Sequence, residues 1–447
     1  MKEPNVSVAI LANNEIVFEL YGEFTCSCNK VRLSGKYIAK YENKVITITN
    51  NSKSHTIENS TVFKSNNVDS DTFLLRGVVI GKDFHWQKKE NQRFQGSLKF
   101  IIENEILTAV NVLPVEKYLT SVISSEMNAT SSHELLKAHA IISRSWLLAQ
   151  MDKSNSIISS KQKYKSEIKT EDEFIKWFDK EDHHLYDVCA DDHCQRYQGI
   201  TKLYAHNAQD AVAETRGLVL KYNDKICDAR FSKSCGGISE SFENVWEPIE
   251  HPYLQKIVDY RYEQEEYDLD LRKEIAAVKW IRNNPAAYCN TTDEKILSQV
   301  LVDYDRTTTD FYKWKVEYSQ AEIAELINSK SGYDFGDILN LVPVERGYSG
   351  RLIKLKIVGT KKTLIVGKEL VIRKILSKSH LYSSAIVVDL DNVVDGIPQK
   401  FTLTGAGWGH GVGLCQIGAA VMGEQGFSFD VILLHYFKGA LIKRYFD

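Results

Sequence analysis

Short runs of alternating hydrophobic and polar positions occupy the first 112 residues. Most of these runs are rich in β-branched or aromatic residues, and clusters of Gly, Asn and Ser separate them. This pattern is typical of β-strands joined by turns. The sequence therefore predicts a β-rich N-terminal region, with the clearest strands at residues 6–11, 44–49, 73–80 and 97–102.

Helical periodicity begins after Pro114, a residue type favoured in the first turn of a helix. The spacing of apolar residues predicts a helix over residues 115–127. Glu126 continues the apolar stripe of that helix, so a carboxylate is expected on its buried face. The stripe itself consists of Val115, Leu119 and Val122.

A second helix is predicted over residues 131–150, where Ser131 and Glu134 have the spacing of a capping box. Beyond it, strand patterns alternate with short helical patterns up to a C-terminal amphipathic helix at 430–437 and a final strand. Residues 262–290 are charged and are predicted to be helical. The mixed pattern predicts an α+β fold.

Length and charge exclude several classes of protein. The 447 residues correspond to roughly two or three domains. The net charge is −3 and the basic residues are dispersed, which argues against a nucleic-acid-binding protein. No apolar run is as long as a membrane span, which needs about 18 residues.

The first residues do not show a signal-peptide pattern, because the apolar run after Pro4 is short and is followed by charge. We expect either that export depends on a segment absent from this chain or that the protein acts inside the cell.

Glu126 is the sharpest candidate for acid–base chemistry. Burial on an apolar face raises the pKa of a carboxyl group, and such a group can both give and take a proton near neutral pH. The structural alternative is that Glu126 caps the next helix or pairs with an arginine such as Arg144.

A second candidate site is a short segment with two cysteines and several histidines, residues 183–194. Two thiolates and two imidazoles can complete the closed tetrahedral shell of a structural zinc ion. A Cys189–Cys194 disulfide or free thiols are the alternatives. The predicted ligands are His183, preferred over His184, with Cys189, His193 and Cys194.

The other cysteines do not suggest a site. Cys227 and Cys235 are compatible with a disulfide or with buried thiols. Cys289 and Cys415 are interpreted as core residues.

Six glycines crowd around His410 and Gln416 in residues 405–419. Glycine at that density allows tight turns and a close approach to a ligand. His410 is a candidate metal ligand, base or hydrogen-bonding wall residue, with ordinary packing as the alternative. Gly236 and Gly237 suggest a second loop of close approach. Trp246 and Trp408 could stack on sugar rings, or belong to the core like most tryptophans.

Several segments, in order, resemble the SpoIID/LytB family of sporulation stage II protein D and the amidase enhancers. Residues 407–419 resemble its signature, with Leu414-Cys415-Gln416-Ile417-Gly418-Ala419 where the family usually shows Met-Ser-Gln-Tyr-Gly-Ala. Ser143, Ser145 and Trp146 depart from the family's usual Ala-Arg-Thr-Tyr helix. The other matching segments are 113–119 with 125–127, 136–146, 234–237 with 245–246, and 349–351.

The resemblance implies an α+β fold with a β-rich region at 1–95 and a SpoIID/LytB-like catalytic region at 96–447, with a helical insertion at 262–340. It implies a lytic transglycosylase that cleaves peptidoglycan glycan strands and prefers strands without stem peptides. Glu126 would be the catalytic acid/base, and the Cys/His cluster would bind a structural Zn²⁺, with no organic cofactor. The residues expected to bind substrate are Arg144, Gly236, Gly237, Trp246, Trp408, His410 and Gln416.

The alternative function is a non-catalytic wall-binding protein that enhances an N-acetylmuramoyl-L-alanine amidase. A catalytic zinc at the Cys/His cluster is disfavoured, because four protein ligands leave no position for water. The resemblance implies a location in the cell envelope, on the periplasmic or wall side, although the absence of a visible signal peptide leaves the cytoplasm open.

Overall fold

The computed structural model of the 447-residue chain describes residues 2–27, 30–50, 54–57, 60–81, 87–128, 130–157, 166–177, 183–191, 193–201, 206–301 and 308–447.

One large sheet, mostly antiparallel, forms the N-terminal part of the fold. Alternate side chains point into its core, as in the second strand, where Ile16, Phe18 and Leu20 are buried. The strand order is β13-β1-β10-β9-β6-β2-β3-β4-β5, and β7 and β8 extend from β2. The strands are β1 Asn5–Ala12, β2 Glu15–Cys26, β3 Arg32–Glu42, β4 Val45–Thr49, β5 Ser54–Ile57, β6 Thr61–Ser65, β7 Thr72–Ile80, β8 Lys88–Gln95, β9 Ser97–Glu103, β10 Ile106–Pro114 and β13 Val188–Cys189.

The predicted domain boundary at residue 95 lies within this sheet. The strands β8 and β9 flank that point, and β9 pairs with both β6 and β10, while β10 pairs with β1. The β-rich region therefore continues to Pro114, and the predicted boundary falls inside one hydrogen-bonded sheet. The four predicted strands are confirmed within two residues.

A group of helices packs beside the sheet around the long helix α2. The buried face of α1 includes Val115, Leu119 and Val122, as predicted. The helix α2 contacts α1, α3, α8 and α9. These helices are α1 Val115–Glu126, α2 His133–Ile157, α3 His206–Glu214, α8 Gln416–Glu424 and α9 Phe429–Tyr436.

The predicted capping box at the start of α2 is wrong. The hydroxyl of Ser131 donates to the carbonyl oxygen of Gln299 at 2.8 Å. The carboxylate of Glu134 accepts from the backbone N–H of Phe429 at 2.7 Å. Both side chains are therefore used in contacts between elements that are distant in sequence, which spacing alone does not reveal.

A second core, with Trp314, Ile372 and Leu403 among its buried residues, lies between two smaller sheets and short helices. The sheets have the orders β11-β12-β20-β19-β18 and β17-β22-β21. Their strands are β11 Glu167–Lys169, β12 Glu173–Lys176, β17 Lys313–Ser319, β18 Ile338–Arg346, β19 Leu352–Gly359, β20 Thr363–Gly367, β21 Ile386–Val394 and β22 Ile397–Ala406, and the helices are α6 Gln320–Ser331 and α7 Glu369–Ile375.

Several of the remaining elements, such as β14 and α5, contribute buried residues to the first core, whereas α4 belongs to a third, smaller core. The segment predicted as a helical insertion, 262–340, contains helices but also β17, which pairs with β22. With 38% strand and 24% helix, the predicted α+β class is confirmed. These remaining elements are the strands β14 Leu218–Tyr222, β15 Lys225–Ile226, β16 Phe231–Ser232, β23 Leu414–Cys415 and β24 Leu441–Arg444, the helices α4 Glu274–Arg282 and α5 Glu294–Val300, and the 3-10 helix Phe242–Asn244.

Candidate active site

Glu126 is the last residue of α1. The chain turns to an extended conformation at Met127, which ends the helix. The Glu126 side chain is half-buried. Its Oε1 atom accepts a hydrogen bond from the backbone N–H of Arg196 at 3.0 Å. The carboxylate therefore has a defined orientation at the end of a buried helix.

Glu126 faces a cleft of about 360 Å³. The predicted residues Trp246, Trp408, His410 and Gln416 line the same cleft. The structure thus places the Glu126 carboxylate and the glycine-rich signature in the same cleft. The cleft is completed by Trp146, His193, Cys194, Gln195, Arg196, Arg230, Phe231, Ser232, Lys233, Arg373, Ser379, His380, Tyr382 and Gly409.

The signature forms a loop between β22 and β23, and its backbone needs glycine. Gly411 has a φ of +77°, and a Cβ atom there would lie 2.5 Å from Cζ of Arg351. The buried guanidinium of Arg351 donates to the carbonyl oxygens of Cys235 at 2.9 Å and Gly409 at 3.0 Å. A buried cation thus holds the loop, and side chains at Gly411 would displace it.

Gln416 of the signature is the first residue of α8. A buried histidine orients the amide group of its side chain. The Gln416 Nε2 lies 3.1 Å from Nε2 of His139, a fully buried residue of α2. Burial, with a smaller effect of the Lys233 charge, lowers the pKa of His139 to about 3. The imidazole is therefore neutral and is able to accept a hydrogen bond from the amide N–H of Gln416.

His410 is also held neutral. Burial lowers its pKa well below the usual value, and the charges of Arg230, Arg351 and Arg373 act in the same direction. Its Nδ1 accepts from the N–H of Val412 at 3.0 Å. His410 is therefore positioned as a wall residue rather than as a proton donor.

Aromatic rings also line the cleft. Tyr382 stacks on Trp408 with a centroid distance of 4.1 Å. The His410 ring meets Trp246 edge-on at 5.2 Å, and the Arg230 guanidinium lies 4.4 Å from the Trp246 ring centroid. Sugar rings pack on such surfaces through their C–H faces.

Three of the residues predicted to bind substrate, Arg144, Gly236 and Gly237, do not line this cleft. Arg144 is fully buried, and its guanidinium makes two 2.8 Å hydrogen bonds to Glu116. It does not line the cleft among the described residues, so a direct substrate-binding role is not supported. The alternative pairing of Arg144 with Glu126 is likewise not formed, because Glu116 occupies the guanidinium.

Gly236 and Gly237 also lie outside the lining of the cleft. A Cβ atom on Gly236 would lie 3.0 Å from the backbone nitrogen of Gly407, and one on Gly237 would lie 2.8 Å from the ring of Trp280. Their close approach is to the protein itself, behind the signature loop, and not to a ligand.

Sequence analysis missed Arg230, Tyr382 and His139. Arg230 and Tyr382 come from segments with no distinctive motif, so no sequence signal was available. His139 is on the apolar face of α2, and its position in that stripe was a usable signal.

The predicted zinc ligands converge. One ligand atom from each of His183, Cys189, His193 and Cys194 lies within 4.8 Å of the others. The Cys194 Sγ is 3.4 Å from Nε2 of His183 and 3.6 Å from Nδ1 of His193. In a tetrahedral zinc site the edge between sulfur and nitrogen ligands is about 3.6 Å, given the usual bond lengths. These residues therefore fit zinc.

The Cys189 thiol favours the charged form that metals bind. A hydrogen bond with Cys194 lowers the pKa of Cys189, and His183 and His193 add to that effect against the opposing effect of burial.

Comparison with known proteins agrees with this geometry. The family model described as "Stage II sporulation protein" matches residues 103–222, which include Glu126 and the four zinc-ligand candidates. The predicted resemblance to the SpoIID/LytB family is confirmed. A second model, "Domain of unknown function (DUF8618)", matches residues 240–413.

The curated relatives that this chain resembles are distant. It is 28% identical to the amidase enhancer of Bacillus subtilis over 54% of this chain and 33% of that protein. It thus spans about a third of the length of that relative. Stage II sporulation protein D of Bacillus subtilis is 24% identical, over 75% of this chain and 76% of the relative. An uncharacterized protein of Brachyspira hyodysenteriae is 23% identical over 93% and 89%.

Within the described residues, the helices are too short or too polar to cross a membrane.

Proposed function

We propose that this protein is a peptidoglycan lytic transglycosylase that cleaves the MurNAc–GlcNAc bond and leaves 1,6-anhydro-MurNAc ends. One observation carries the proposal: Glu126 is the only carboxylate among the described residues that line the cleft. A chemistry that needs a single acid/base group is therefore the best match.

The reaction uses one carboxyl group twice, first as an acid and then as a base. Glu126, protonated, donates its proton to the glycosidic oxygen as the bond between that oxygen and C1 of MurNAc breaks. The resulting carboxylate then takes the proton of the 6-hydroxyl of the same sugar, and that oxygen bonds to C1. The anhydro ring closes without water, and Glu126 is protonated again.

A glycoside hydrolase would need a second carboxylate to activate water or to attack carbon. His410 is not a substitute, because its lowered pKa makes it a weak base and its Nδ1 already accepts a hydrogen bond from the N–H of Val412. This comparison favours transglycosylation over hydrolysis.

The lining favours a polar, anionic glycan. The cationic side chains of Arg196, Arg230, Lys233 and Arg373 line the same cleft as the one carboxylate. Arg230 also pairs with Asp228 at 2.7 Å, and Arg373 with Glu369 at 3.1 Å. Glycan strands without stem peptides carry free lactyl carboxylates, which match this charge.

Two buried polar atoms of the lining, Nε1 of Trp246 and Oγ of Ser232, have no hydrogen-bond partner among the described residues. Buried polar groups are normally paired, so the oxygen and nitrogen atoms of a bound sugar are natural partners for both.

Zinc, bound by His183, Cys189, His193 and Cys194, would cross-link the loop that carries the Arg196 N–H. We infer a structural role for it, because a shell of four protein ligands is closed.

The second candidate is an amidase enhancer that binds wall glycan without cleaving it. The name of the Bacillus subtilis relative favours it, and the same cleft could bind a strand. In both cases we propose that the protein acts in the cell envelope on glycan strands, and that an N-acetylmuramoyl-L-alanine amidase is a partner.

The decisive experiment digests purified sacculi, stripped of stem peptides, with the protein alone and analyses the products by mass spectrometry. An anhydro end is lighter than a reducing end by one water. We expect anhydro products from the wild-type protein and a loss of about 10²–10⁴-fold in Glu126→Gln.

The matched control is Glu105→Gln, an exposed glutamate in the turn between β9 and β10, which should keep full activity. Reducing ends would indicate a hydrolase instead. No products from the wild-type protein, together with retained binding to sacculi, would establish the enhancer.

A further inference from the structure

A second group of metal-ligating side chains lies behind the signature loop. Cys235, Asp259, Cys289 and Cys415 are all buried, and one ligand atom from each lies within 4.8 Å of the others. They come from four separate segments of the chain, up to 180 residues apart. None of them belongs to the Cys/His cluster near Glu126.

The spacing of these atoms is that of ligands around one ion. Zinc bonds of about 2.3 Å to sulfur give a tetrahedral edge of about 3.8 Å between two sulfurs and about 3.6 Å between sulfur and oxygen. The Sγ atoms of Cys235 and Cys289 are 3.7 Å apart. The Sγ of Cys235 is 3.3 Å from Oδ2 of Asp259.

We propose that Cys235, Cys289, Cys415 and Asp259 form a second, structural zinc site. Soft thiolates select zinc among the common divalent cations, and three thiolates with one carboxylate complete a closed shell.

The groups around the cluster have the arrangement that supports metal ligands. The N–H of Cys235 donates to Sγ of Cys415 at 3.2 Å, and the N–H of Gly237 donates to Sγ of Cys235 at 3.3 Å. Such bonds stabilise sulfur in its thiolate form.

Asp259 is oriented in the same way. Its Oδ1 accepts from the Tyr436 hydroxyl at 2.7 Å and lies 3.5 Å from Nε2 of His435, so Oδ2 is directed to the thiols. A Cβ atom on Gly418 would lie 2.6 Å from Oδ2, so glycine is needed there.

A disulfide between Cys235 and Cys289 is the competing explanation. It would use two of the three thiols and would leave the Asp259 carboxylate, which has no exposed surface, with His435 as its cationic partner. The distance of 3.5 Å between His435 Nε2 and Asp259 Oδ1 is longer than that of a strong charge-assisted hydrogen bond. Buried charges are normally paired or bound to metal. In addition, Cys415 stands where the family usually has serine, so the third thiol is a feature of this chain.

The proposed Cys/Asp zinc site would stabilise the conformation of the signature loop. Cys415 precedes Gln416 of the cleft, and the carbonyl of Cys235 accepts from Arg351, which also binds Gly409. This inference does not depend on the proposed transglycosylase activity.

The test measures metal content by mass spectrometry on full-length protein purified without chelator. We expect two zinc ions per wild-type chain, one in Cys194→Ser and one in Cys415→Ser. Cys227→Ala removes a buried free cysteine outside both clusters and should keep two. Cys415→Ser introduces the residue usual in the family, and Asp259→Asn provides a second variant if that protein does not fold.

The Cys194→Ser variant is sufficient to test the second zinc site, because it leaves Cys235, Asp259, Cys289 and Cys415 unchanged. When this variant is reconstituted with Co²⁺, intense tetrahedral absorption and a thiolate charge-transfer band support the proposal. A Cys194→Ser protein without bound zinc or Co²⁺, or a Cys235–Cys289 disulfide found by peptide mapping, overturns it. Because no glycan is used, the result is independent of whether the protein cleaves glycan.

Discussion

The Oε1 atom of Glu126 accepts a hydrogen bond from the backbone N–H of Arg196 at 3.0 Å. Arg196 is two residues after Cys194, a candidate zinc ligand. The orientation of the proposed acid/base group therefore depends on a loop whose shape a metal ion would fix. Such a supporting contact matters because small displacements of a reacting group reduce rates strongly.

We predict that Cys194→Ser lowers kcat for release of anhydro sugars by about tenfold or more, because outer groups that orient a site commonly contribute 10–100-fold. The midpoint of thermal unfolding should fall as well, since metal binding stabilises the folded loop. Both are measured on the same preparation, with the zinc content determined in parallel.

The control for this prediction is Cys227→Ala, whose thiol is buried but belongs to neither cluster. Unchanged activity in Cys194→Ser after complete loss of that zinc would contradict the link between the metal loop and Glu126.

Trp408→Ala should weaken substrate binding. Trp408 lines the cleft, where Tyr382 stacks on its ring at 4.1 Å and Phe311 lies 4.6 Å from it. Contact of a sugar with this aromatic cluster acts in the ground state and in the transition state alike, so we expect KM to rise by roughly tenfold with a smaller change in kcat. Steady-state kinetics on soluble glycan fragments check this.

Trp408→Phe is the matched variant, because it keeps an aromatic face and should restore most of the affinity. If kcat instead falls with KM unchanged, Trp408 serves to shape the signature loop and is not a sugar platform.

Local patterns predicted much of the fold. The stripe of Val115, Leu119 and Val122 identified α1 and placed Glu126 at its end, because helix periodicity depends on nearby residues alone. The Cys/His cluster was also visible, since its four ligands lie within twelve positions, 183–194.

Contacts between distant segments could not be predicted in this way. Cys235, Asp259, Cys289 and Cys415 carry no shared spacing, and only the folded chain brings them together. The assignment of Gly236 to a substrate site failed for a related reason. Glycine permits close approach, but the pattern does not say whether a ligand or, as here, the backbone of Gly407 approaches.

The structure predicts a stability role for Arg144, which can be separated from substrate binding. Arg144→Met leaves the Glu116 carboxylate buried without its cation, and we expect a loss of about 3–5 kcal/mol in the free energy of unfolding. The double variant Glu116→Leu/Arg144→Met should recover part of that loss. Denaturant unfolding of the two single variants and the double variant measures the coupling.

The KM of the folded Arg144→Met protein should stay near the wild-type value. A large rise in KM with an unchanged free energy of unfolding would show that Arg144 contributes to substrate binding.

His139 should make stability depend on pH. The pKa of His139 in the folded protein, about 3, is below the usual value of about 6.5. Between these two pH values the imidazole therefore binds a proton in the unfolded chain but not in the folded protein. The contribution is fully retained above pH 6.5 and is lost progressively as the pH falls toward 3. The lowered pKa corresponds to a loss of up to roughly 5 kcal/mol, as an upper limit.

His139→Gln removes this titration but keeps a polar partner for Gln416. We therefore expect the difference in unfolding free energy between the wild-type and variant proteins to change between pH 6.5 and pH 4, with the wild type losing more. Urea unfolding at several pH values, at matched zinc content, measures it, because carboxylates and metal ligands contribute equally to both proteins and cancel in the difference. Parallel curves over that range would show that His139 is protonated in the folded protein. In that case the neutral acceptor assigned to the Gln416 amide would be wrong.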